Sequence, residues 1–263
     1  MCTTTLDKPT AVCIVSGGLD SVCYAASLSK DYEICMITFA YGQRAKREIE
    51  RARYFSQVLK TKDHKVIDIG FMKSIYGKSN ALTDSRQKLS VGFEQNLVVP
   101  LRNAVFLVIA TAWAMSINAR IVAYGAHTDD IPHYPDCRPA FVRAINEALN
   151  VAESDSIIAR RHQEVTILSP AIMDIDKSSL LKTGYKILGS KIFQTWSCYS
   201  NGIRSVSGSS SSSREYYMHC GRCESCISRK KAFTNARIED KTHYATRGSS
   251  KPESKAKRDI YEH

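Results

Sequence analysis

Short apolar runs rich in β-branched residues alternate along this chain with segments of helical periodicity. The runs occupy residues 10–15, 34–41, 64–69, 120–126 and 164–172. The segments between them repeat apolar residues every three to four positions, which is the spacing of one helix face. Strands that alternate with helices form a parallel sheet with helices on both faces. This order predicts an α/β fold, a Rossmann-like doubly wound parallel sheet, for residues 1–195.

Several helix boundaries carry their own signals. The first helix is expected to begin near Asp20 and the second near Gly42. Pro139 suits the first turn of a helix over 139–152, where its missing N–H is not needed. Asp176 precedes a helical segment and is predicted to be its N-cap.

Residues 196–235 differ in composition from the region before them. Three cysteines two residues apart, Cys220, Cys223 and Cys226, follow a serine run at 205–213. The run is of low complexity, and we interpret it as a flexible loop. Looping back across it brings Cys198 to the triplet, so four thiolates are available for a closed structural zinc site. His219 is an alternative fourth ligand, and the triple spacing also occurs in iron–sulfur ligation.

Charge, hydropathy and cysteine content indicate what the protein binds and where it works. Residues 229–258 hold ten Lys/Arg and three Asp/Glu, a net +7 of the chain's +11. We interpret residues 236–263 as a basic extension that improves solubility or attracts polyanions loosely, which makes specific nucleic-acid binding a weaker expectation. The longest apolar run, 104–115, is short for a membrane span, and no secretion signal is recognised. Nine cysteines without a secretion signal indicate reduced thiols and a cytoplasmic protein.

The string "IVSGGLDS" follows the first predicted strand and opens a helix. Backbone N–H groups and the positive end of a helix dipole bind phosphate in this setting. The string resembles the PP-loop of the ATP pyrophosphatase superfamily, whose members split ATP between its α and β phosphates. The residues that match its motif are Ser16, Gly17, Gly18, Asp20 and Ser21. The resemblance implies ATP as a substrate and Mg²⁺ to neutralise the pyrophosphate that leaves.

Further motifs narrow the family. They are "TFAYGQRAKREIERA" (38–52), "VPLRN" (99–103), "YPDCR" (134–138), "TWSCYSNG" (195–202) and "CGRCESC" (220–226). Together with the PP-loop they resemble the 7-cyano-7-deazaguanine synthase (QueC) family, in order from about residue 11 to 233. The resemblance implies an ATP-dependent C–N ligase that adenylates the carboxylate of 7-carboxy-7-deazaguanine, takes ammonia as acceptor and forms the nitrile through an amide. It also implies a homodimer, and it favours structural Zn²⁺ on Cys198, Cys220, Cys223 and Cys226.

The resemblance, with the positions of the residues, assigns roles. Arg102 and Lys177 stand at strand-to-helix ends, where their charge would offset phosphate or oxyanion charge; with Ser16, Asp20 and Ser21 they form the predicted catalytic set. The predicted ATP site is Ser16, Gly17, Gly18, Asp20, Ser21, Thr38, Phe39, Ala40 and Gly125. The predicted substrate site is Arg102, Asn103, Tyr134, Asp136 and Arg138, in which Asp136 would accept from the guanine-like edge and Tyr134 would stack. Cys137 is interpreted as a packing residue, because no base to activate it is near in sequence.

Some positions depart from the family pattern. Leu101 stands where glycine is common, and Pro132 and His133 stand where Ser-Gly is expected. These changes leave the acceptor open between ammonia and a protein amine. A QueC-like paralogue, linked to antiviral defence, would join the activated deazaguanine to an amine of a protein partner. Two other interpretations remain. If the chain were a PP-loop tRNA-modifying enzyme, "YPDCR" would have no role, and if it were a non-enzymatic zinc-ribbon RNA binder, the PP-loop would have none.

Overall fold

A computed structural model describes residues 8–76, 80–207 and 214–245. Its centre is a five-stranded sheet of β1 (Thr10–Ile14), β2 (Glu33–Ala40), β3 (Asp63–Asp68), β4 (Ile121–Tyr124) and β5 (Thr166–Leu168). The strand order is β3-β2-β1-β4-β5, and every neighbouring pair is parallel. All five predicted strands are present, so the predicted fold class is confirmed.

The helices in the described residues are α1 (Leu19–Leu28), α2 (Arg47–Val58), α3 (Met72–Tyr76), α4 (Arg102–Ser116), α5 (Pro139–Ala152), α6 (Ser154–Ile158), α7 (Lys177–Leu188) and α8 (Glu224–Ala236). Helices cover both faces of the sheet because successive side chains of a strand point to opposite sides. Val12 of β1 packs in the core under α4 and α5, and Cys13 packs in the core under α1, α2, α7 and α8. The Asp176 side chain accepts a hydrogen bond from the Ser179 N–H at 2.6 Å, which confirms the predicted cap of α7.

The start of α2 differs from the expectation. The helix begins at Arg47 instead of near Gly42. Gly42 has a φ of 85°, in the left-handed region, and the Gln43 side chain accepts from the Tyr41 N–H and donates to the Phe39 carbonyl. These two bonds close a turn at the end of β2, so the helical periodicity starts before the helix does.

The serine run also differs from the expectation. Residues 205–207 belong to β6 (Ile203–Ser207), which pairs with β7 (Arg214–Met218) in an antiparallel hairpin. Backbone pairing needs no apolar side chains, which is why composition alone predicts a loop here. The rest of the predicted loop, 208–213, and residues 246–263 of the basic extension lie outside the described residues.

One segment of the described chain, Gln95–Ser116, is long and apolar enough to cross a membrane by length and composition, with a mean hydropathy of 1.8. A third of that window is buried, at 33%. The α-helix within it, α4, spans about 22 Å at 1.5 Å per residue, less than the roughly 30 Å hydrocarbon core of a bilayer. Leu107, Ala110 and Ala114 of α4 are buried against the sheet, and a core helix passes the same test.

Candidate active site and metal centre

A cavity of about 890 Å³ opens beyond the carboxyl ends of β1 and β4. From β1 the chain first builds β2 and β3 on one side of β1, and it later adds β4 and β5 on the other side. The strand order therefore reverses at β1, and open parallel sheets bind ligands in the crevice at such a point. Of the predicted site residues, the lining includes Ser16, Gly18, Asp20, Ser21, Arg102, Asn103, Gly125, Tyr134 and Lys177. Residues far apart in sequence thus meet on one cavity.

The phosphate loop, residues 16–21, turns directly from β1 into α1. Gly17 has a φ of 90°, and a Cβ there would lie 2.2 Å from the Glu48 carbonyl oxygen, so the loop requires glycine. The Gly18 N–H donates to Ser16 Oγ at 3.1 Å, and the hydroxyl oxygens of Ser16 and Ser21 lie 3.2 Å apart. A glycine turn, two hydroxyls and the start of a helix make an anion-binding concavity.

Asp20 and Lys177 form an ion pair inside the cavity. Lys177 Nζ lies 2.9 Å from Asp20 Oδ2, and the lysine residue is 8% exposed. Burial favours the neutral carboxyl, but Lys177 and then His127 outweigh it and hold the pKa of Asp20 well below its usual range. Burial likewise lowers the pKa of Lys177, and Asp20 reverses this into a net rise. The site therefore holds both charges at neutral pH.

His127 is a cavity residue that the sequence reasoning missed. It follows β4, and its Nε2 lies 3.7 Å from Asp20 Oδ1 while its Nδ1 lies 3.4 Å from Asp130 Oδ2. Burial lowers the pKa of His127, but its acidic neighbours, Asp20 first, together raise the pKa by more than burial lowers it. The net shift is upward. No motif marks His127, because only the fold brings the end of β4 beside the phosphate loop.

Arg102 begins α4 directly after Leu101, whose φ of 55° is left-handed. The guanidinium carbon of Arg102 lies 5.9 Å from the centre of the Tyr41 ring, and its Nε is buried with no hydrogen-bond partner among the described residues. Burial raises the pKa of the nearby Glu48 to about 8, and Arg102 offsets part of that rise. Glu48 also lines the cavity and is a second residue that the sequence reasoning missed.

Some side chains of the "YPDCR" stretch line the cavity, and others bind the backbone next to it. Tyr134 and Cys137 line the cavity, and the lining does not include Asp136 or Arg138. The Asp136 carboxylate accepts from the Asn103 N–H at the start of α4, at 3.4 Å. The Arg138 Nε donates to the Ile131 carbonyl at 3.2 Å. Cys137 is buried, which raises the pKa of its thiol and agrees with a packing role.

Three of the predicted ATP-site residues lie behind the cavity. Thr38, Phe39 and Ala40 belong to β2, and the lining includes Tyr41 but none of the three. The Thr38 hydroxyl donates to the Val15 carbonyl, and Phe39 stacks on Phe106, itself a lining residue, at 4.3 Å. Gly17 also lies outside the lining; Gly125 belongs to it, and a Cβ there would lie 2.7 Å from the Ser21 nitrogen.

Four thiols converge in the predicted metal element, residues 196–235. The sulfur atoms of Cys198, Cys220, Cys223 and Cys226 all lie within 4.8 Å of one another. A tetrahedral Zn²⁺ with bonds near 2.3 Å places its sulfurs about 3.8 Å apart, so these residues fit that ion. The Cys220 N–H points to Cys198 Sγ at 3.4 Å, which is further support for a thiolate there. His219 is not part of the cluster, because its Nε2 accepts from the Ser197 N–H at 3.1 Å.

The metal element is attached to the phosphate loop. The Trp196 N–H donates to the Gly17 carbonyl at 2.9 Å, and the Trp196 indole donates to the Cys198 carbonyl. Arg229 of α8 is fully buried and donates to the hydroxyls of Thr195 and Ser197 at 2.7 and 3.0 Å. One short segment therefore joins a predicted metal ligand to the predicted ATP site.

One wall of the cavity comes from α8 and the loop before α4, which the sequence reasoning missed. From α8 the lining includes Glu224, Ser225, Ser228 and Lys231, and from the loop it includes Val91, Gly92 and Phe93. The Glu224 N–H donates to the Ser90 carbonyl at 3.2 Å, which joins the two. The only sequence signal was that Glu224 and Ser225 lie between predicted metal ligands.

Comparison with known proteins gives consistent matches. A family model described as "Queuosine biosynthesis protein QueC" matches residues 10–237. A 7-cyano-7-deazaguanine synthase from Caldicellulosiruptor saccharolyticus is 35% identical over 240 residues, covering 89% of this chain and 95% of that relative. Another from Saccharophagus degradans is 35% identical over 239 residues, covering 89% and 97%. A solved structure described as a "predicted subunit of tRNA methyltransferase" from Methanocaldococcus jannaschii has a TM-score of 0.40 at 16% identity, covering 93% of this chain and 95% of that chain.

Proposed function

The chain belongs to the QueC family of queuosine biosynthesis proteins, and on that premise we propose that it is an ATP-dependent ligase that converts 7-carboxy-7-deazaguanine and ammonia to 7-cyano-7-deazaguanine. The observation that carries the proposal is that the phosphate loop, Lys177, Arg102 and Tyr134 share one cavity. A nucleotide phosphate and a planar carboxylate can therefore meet there. In this proposal the chain works in the cytoplasm, as its cysteine content indicates, and as a homodimer, as its family resemblance implies.

The reaction needs two activations. A carboxylate oxygen attacks the α-phosphorus of ATP and pyrophosphate leaves; ammonia then attacks the carboxyl carbon, AMP leaves with that oxygen, and the nitrogen loses a proton. The amide oxygen attacks a second ATP in the same way. AMP leaves again as the remaining N–H protons are lost, and the carbon–nitrogen triple bond forms. Both carboxylate oxygens thus depart in AMP.

The chain's charged residues suit these steps. The phosphate loop orients the triphosphate, and Lys177 moves its charge from Asp20 to the phosphates as pyrophosphate leaves. Arg102, with its Nε unpartnered among the described residues, holds the substrate carboxylate and then the oxyanion. Mg²⁺ would neutralise the leaving pyrophosphate, and the ionised Asp20 carboxylate is the residue that would hold it.

Zn²⁺ on the four cysteines has a structural role in this proposal. Four thiolates leave no open position for water, so the ion holds the fold of the metal element and takes no part in the chemistry. Four thiolates around Zn²⁺ carry a net negative charge. The buried Arg229, one helical turn beyond Cys226, would offset it, since no described carboxylate pairs with Arg229.

The test incubates purified protein with 7-carboxy-7-deazaguanine, ATP and Mg²⁺, with and without ammonium, and follows small molecules and intact protein by mass spectrometry. We expect the nitrile and AMP only when ammonium is present. AMP without nitrile, together with an adduct on protein, would contradict the synthase.

A second candidate is the paralogue that joins the activated deazaguanine to a protein amine. The observation that favours it is the cavity wall at Pro132 and His133, where the resemblance expects Ser-Gly and where His133 stacks on Phe93 at 4.5 Å. The same assay separates the two, because conjugation gives AMP and an amide-linked adduct without ammonium. AMP release that requires tRNA would instead favour a PP-loop tRNA-modifying enzyme.

A further inference from the structure

Glu224 is an acidic residue in a site for anionic substrates. It stands in the first turn of α8 between Cys223 and Cys226 and lines the cavity. ATP and a carboxylate substrate are both negative, so a carboxylate in their site is unfavourable unless it accepts hydrogen bonds from a ligand. The metal cluster on either side of Glu224 fixes its position, which is the condition for a specific contact rather than a solvated charge.

One carboxylate oxygen of Glu224 is held by the protein. The Tyr199 hydroxyl donates to Glu224 Oε2 at 3.0 Å, and Tyr199 lines the same cavity as Tyr134. Burial raises the pKa of Tyr134 to about 12 and also raises the pKa of Tyr199 well above its usual range, so both hydroxyls keep their protons. Within the described parts of the chain, the one hydrogen bond to the Glu224 carboxylate comes from Tyr199, and Lys177 is a nearby cation; Oε1 is open to accept from a ligand.

Aromatic rings line the cavity together with this carboxylate. The aromatic wall consists of Phe93, His133, Tyr134 and Tyr199, all of which line the cavity. Phe93 stacks on His133 with ring centres 4.5 Å apart and meets Tyr134 edge-on at 5.5 Å. The loop of Phe93 is tied to α8 by the hydrogen bond from the Glu224 N–H to the Ser90 carbonyl. Rings next to a fixed carboxylate form a subsite for a flat heterocycle with N–H donors on one edge.

We propose that Glu224 reads the amino-pyrimidinone edge of the substrate base, accepting from its ring N–H and exocyclic amino group, while the aromatic wall packs on the base. This rests on the proposed function for the identity of the base. It transfers the reading role from Asp136, whose carboxylate faces the backbone of Asn103, to a residue of the metal helix. Tyr199 is a positioning residue that orients the Glu224 carboxylate.

The test compares wild type with Glu224→Gln on two ligands, 7-carboxy-7-deazaguanine and its analogue without the 2-amino group. We expect wild type to prefer the first by about 10- to 100-fold in kcat/KM for AMP release, the range for loss of a paired hydrogen bond. Glu224→Gln raises KM for the guanine-type substrate by a similar factor, changes kcat little, and reduces the preference to within about threefold. Tyr199→Phe shows a smaller loss of the same kind.

Controls separate recognition from folding. Glu239→Gln changes an exposed carboxylate just beyond α8 and keeps the wild-type preference. Zinc content, thermal midpoint and ATP affinity of Glu224→Gln stay at wild-type values. A wild-type preference in Glu224→Gln, or its loss in Asp136→Asn instead, overturns the proposal.

Equilibrium binding keeps this test apart from that of the proposed function. Titration calorimetry of both ligands without ATP measures the preference even in a protein that releases no AMP. A preference that depends on Glu224 in the absence of turnover supports the recognition role while the proposed reaction fails. Equal binding of the two ligands to wild type overturns the recognition role whatever the reaction is.

Discussion

The phosphate side and the metal side of the cavity are held in place by different forces. The phosphate loop emerges from a strand buried on both faces, and its neighbours α1 and α7 belong to a core of apolar side chains. The metal side has a small cluster of buried residues, Ala45, Trp196, Cys198, Cys223 and Cys226, three of which are predicted metal ligands. Apolar burial supports the first side, whereas on the second it comes mainly from the inner face of α8, so we propose that a bound metal supplies part of its folding energy.

The two sides nevertheless share one hydrogen bond that bears on function. The Trp196 N–H donates to the Gly17 carbonyl, and Trp196 also binds the Cys198 carbonyl through its indole. Loss of the metal should therefore disturb the phosphate loop without unfolding the sheet. The difference between the sides teaches that ATP binding and base binding can fail separately, since they depend on different sources of stability.

Removing a metal ligand should have the largest effect and should break the metal side while the sheet stays folded. Cys198→Ser loses the zinc, displaces the first turn of α8 from the cavity and lowers kcat/KM by at least about 10³-fold, because the residues of that turn no longer line the site. Zinc analysis, circular dichroism and AMP release measure this. Cys35→Ser, a buried thiol outside the cluster, keeps its zinc. Full activity of zinc-free Cys198→Ser would contradict a structural metal.

Lys177→Ala should break the phosphate side alone. Loss of the cation that faces the phosphates lowers kcat by about 10²- to 10³-fold, while zinc content stays at one per chain. The variant leaves Asp20 without its nearest cation. Lys182→Ala changes an exposed lysine on the same helix and serves as the matched control. Activity within about threefold of wild type would contradict the role of Lys177.

The raised pKa of Glu48, which lines the cavity, predicts a smaller effect that depends on pH. Folded protein keeps a proton on Glu48 up to about pH 8, whereas the unfolded chain loses it near 4.5. The folded state therefore binds more protons in this window, and stability falls as pH rises through it. Ionised Glu48 also repels phosphate, so ATP affinity falls about fivefold from pH 7 to 9. Glu48→Gln flattens both profiles in thermal melts and ATP titrations; an unchanged slope would refute the assignment.

Leu101→Gly should have the smallest effect. Leu101 is left-handed, at a φ of 55°, and 70% exposed, so its side chain contributes little packing. Glycine removes the backbone strain, but it also gives the unfolded chain more conformational freedom, which opposes folding. We expect a net stabilisation of about 0.5–1 kcal/mol. Chemical denaturation measures it, with Val108→Ala on the exposed face of α4 as comparison. A destabilised Leu101→Gly would show that the leucine side chain makes a contact of its own.

The phosphate side could be predicted from the sequence because its signals are local. Five apolar runs indicated the sheet, and a contiguous motif identified Ser16, Gly18, Asp20 and Ser21. His127, Glu48 and Glu224 could not be found in this way, since the fold alone brings them to the cavity. The placements of Asp136 and Arg138 show the converse: a motif identifies a neighbourhood, but backbone geometry decides which of its side chains face the cavity.

The stoichiometry of AMP to product tests the central claim most directly. Wild-type protein with zinc bound would be mixed with 7-carboxy-7-deazaguanine, ATP, Mg²⁺ and ammonium, and AMP, amide and nitrile would be quantified over time. The account predicts an amide that rises and then falls, and two AMP for each nitrile formed. One AMP for each molecule of substrate consumed, with an amide or a protein adduct as the final product, would contradict it.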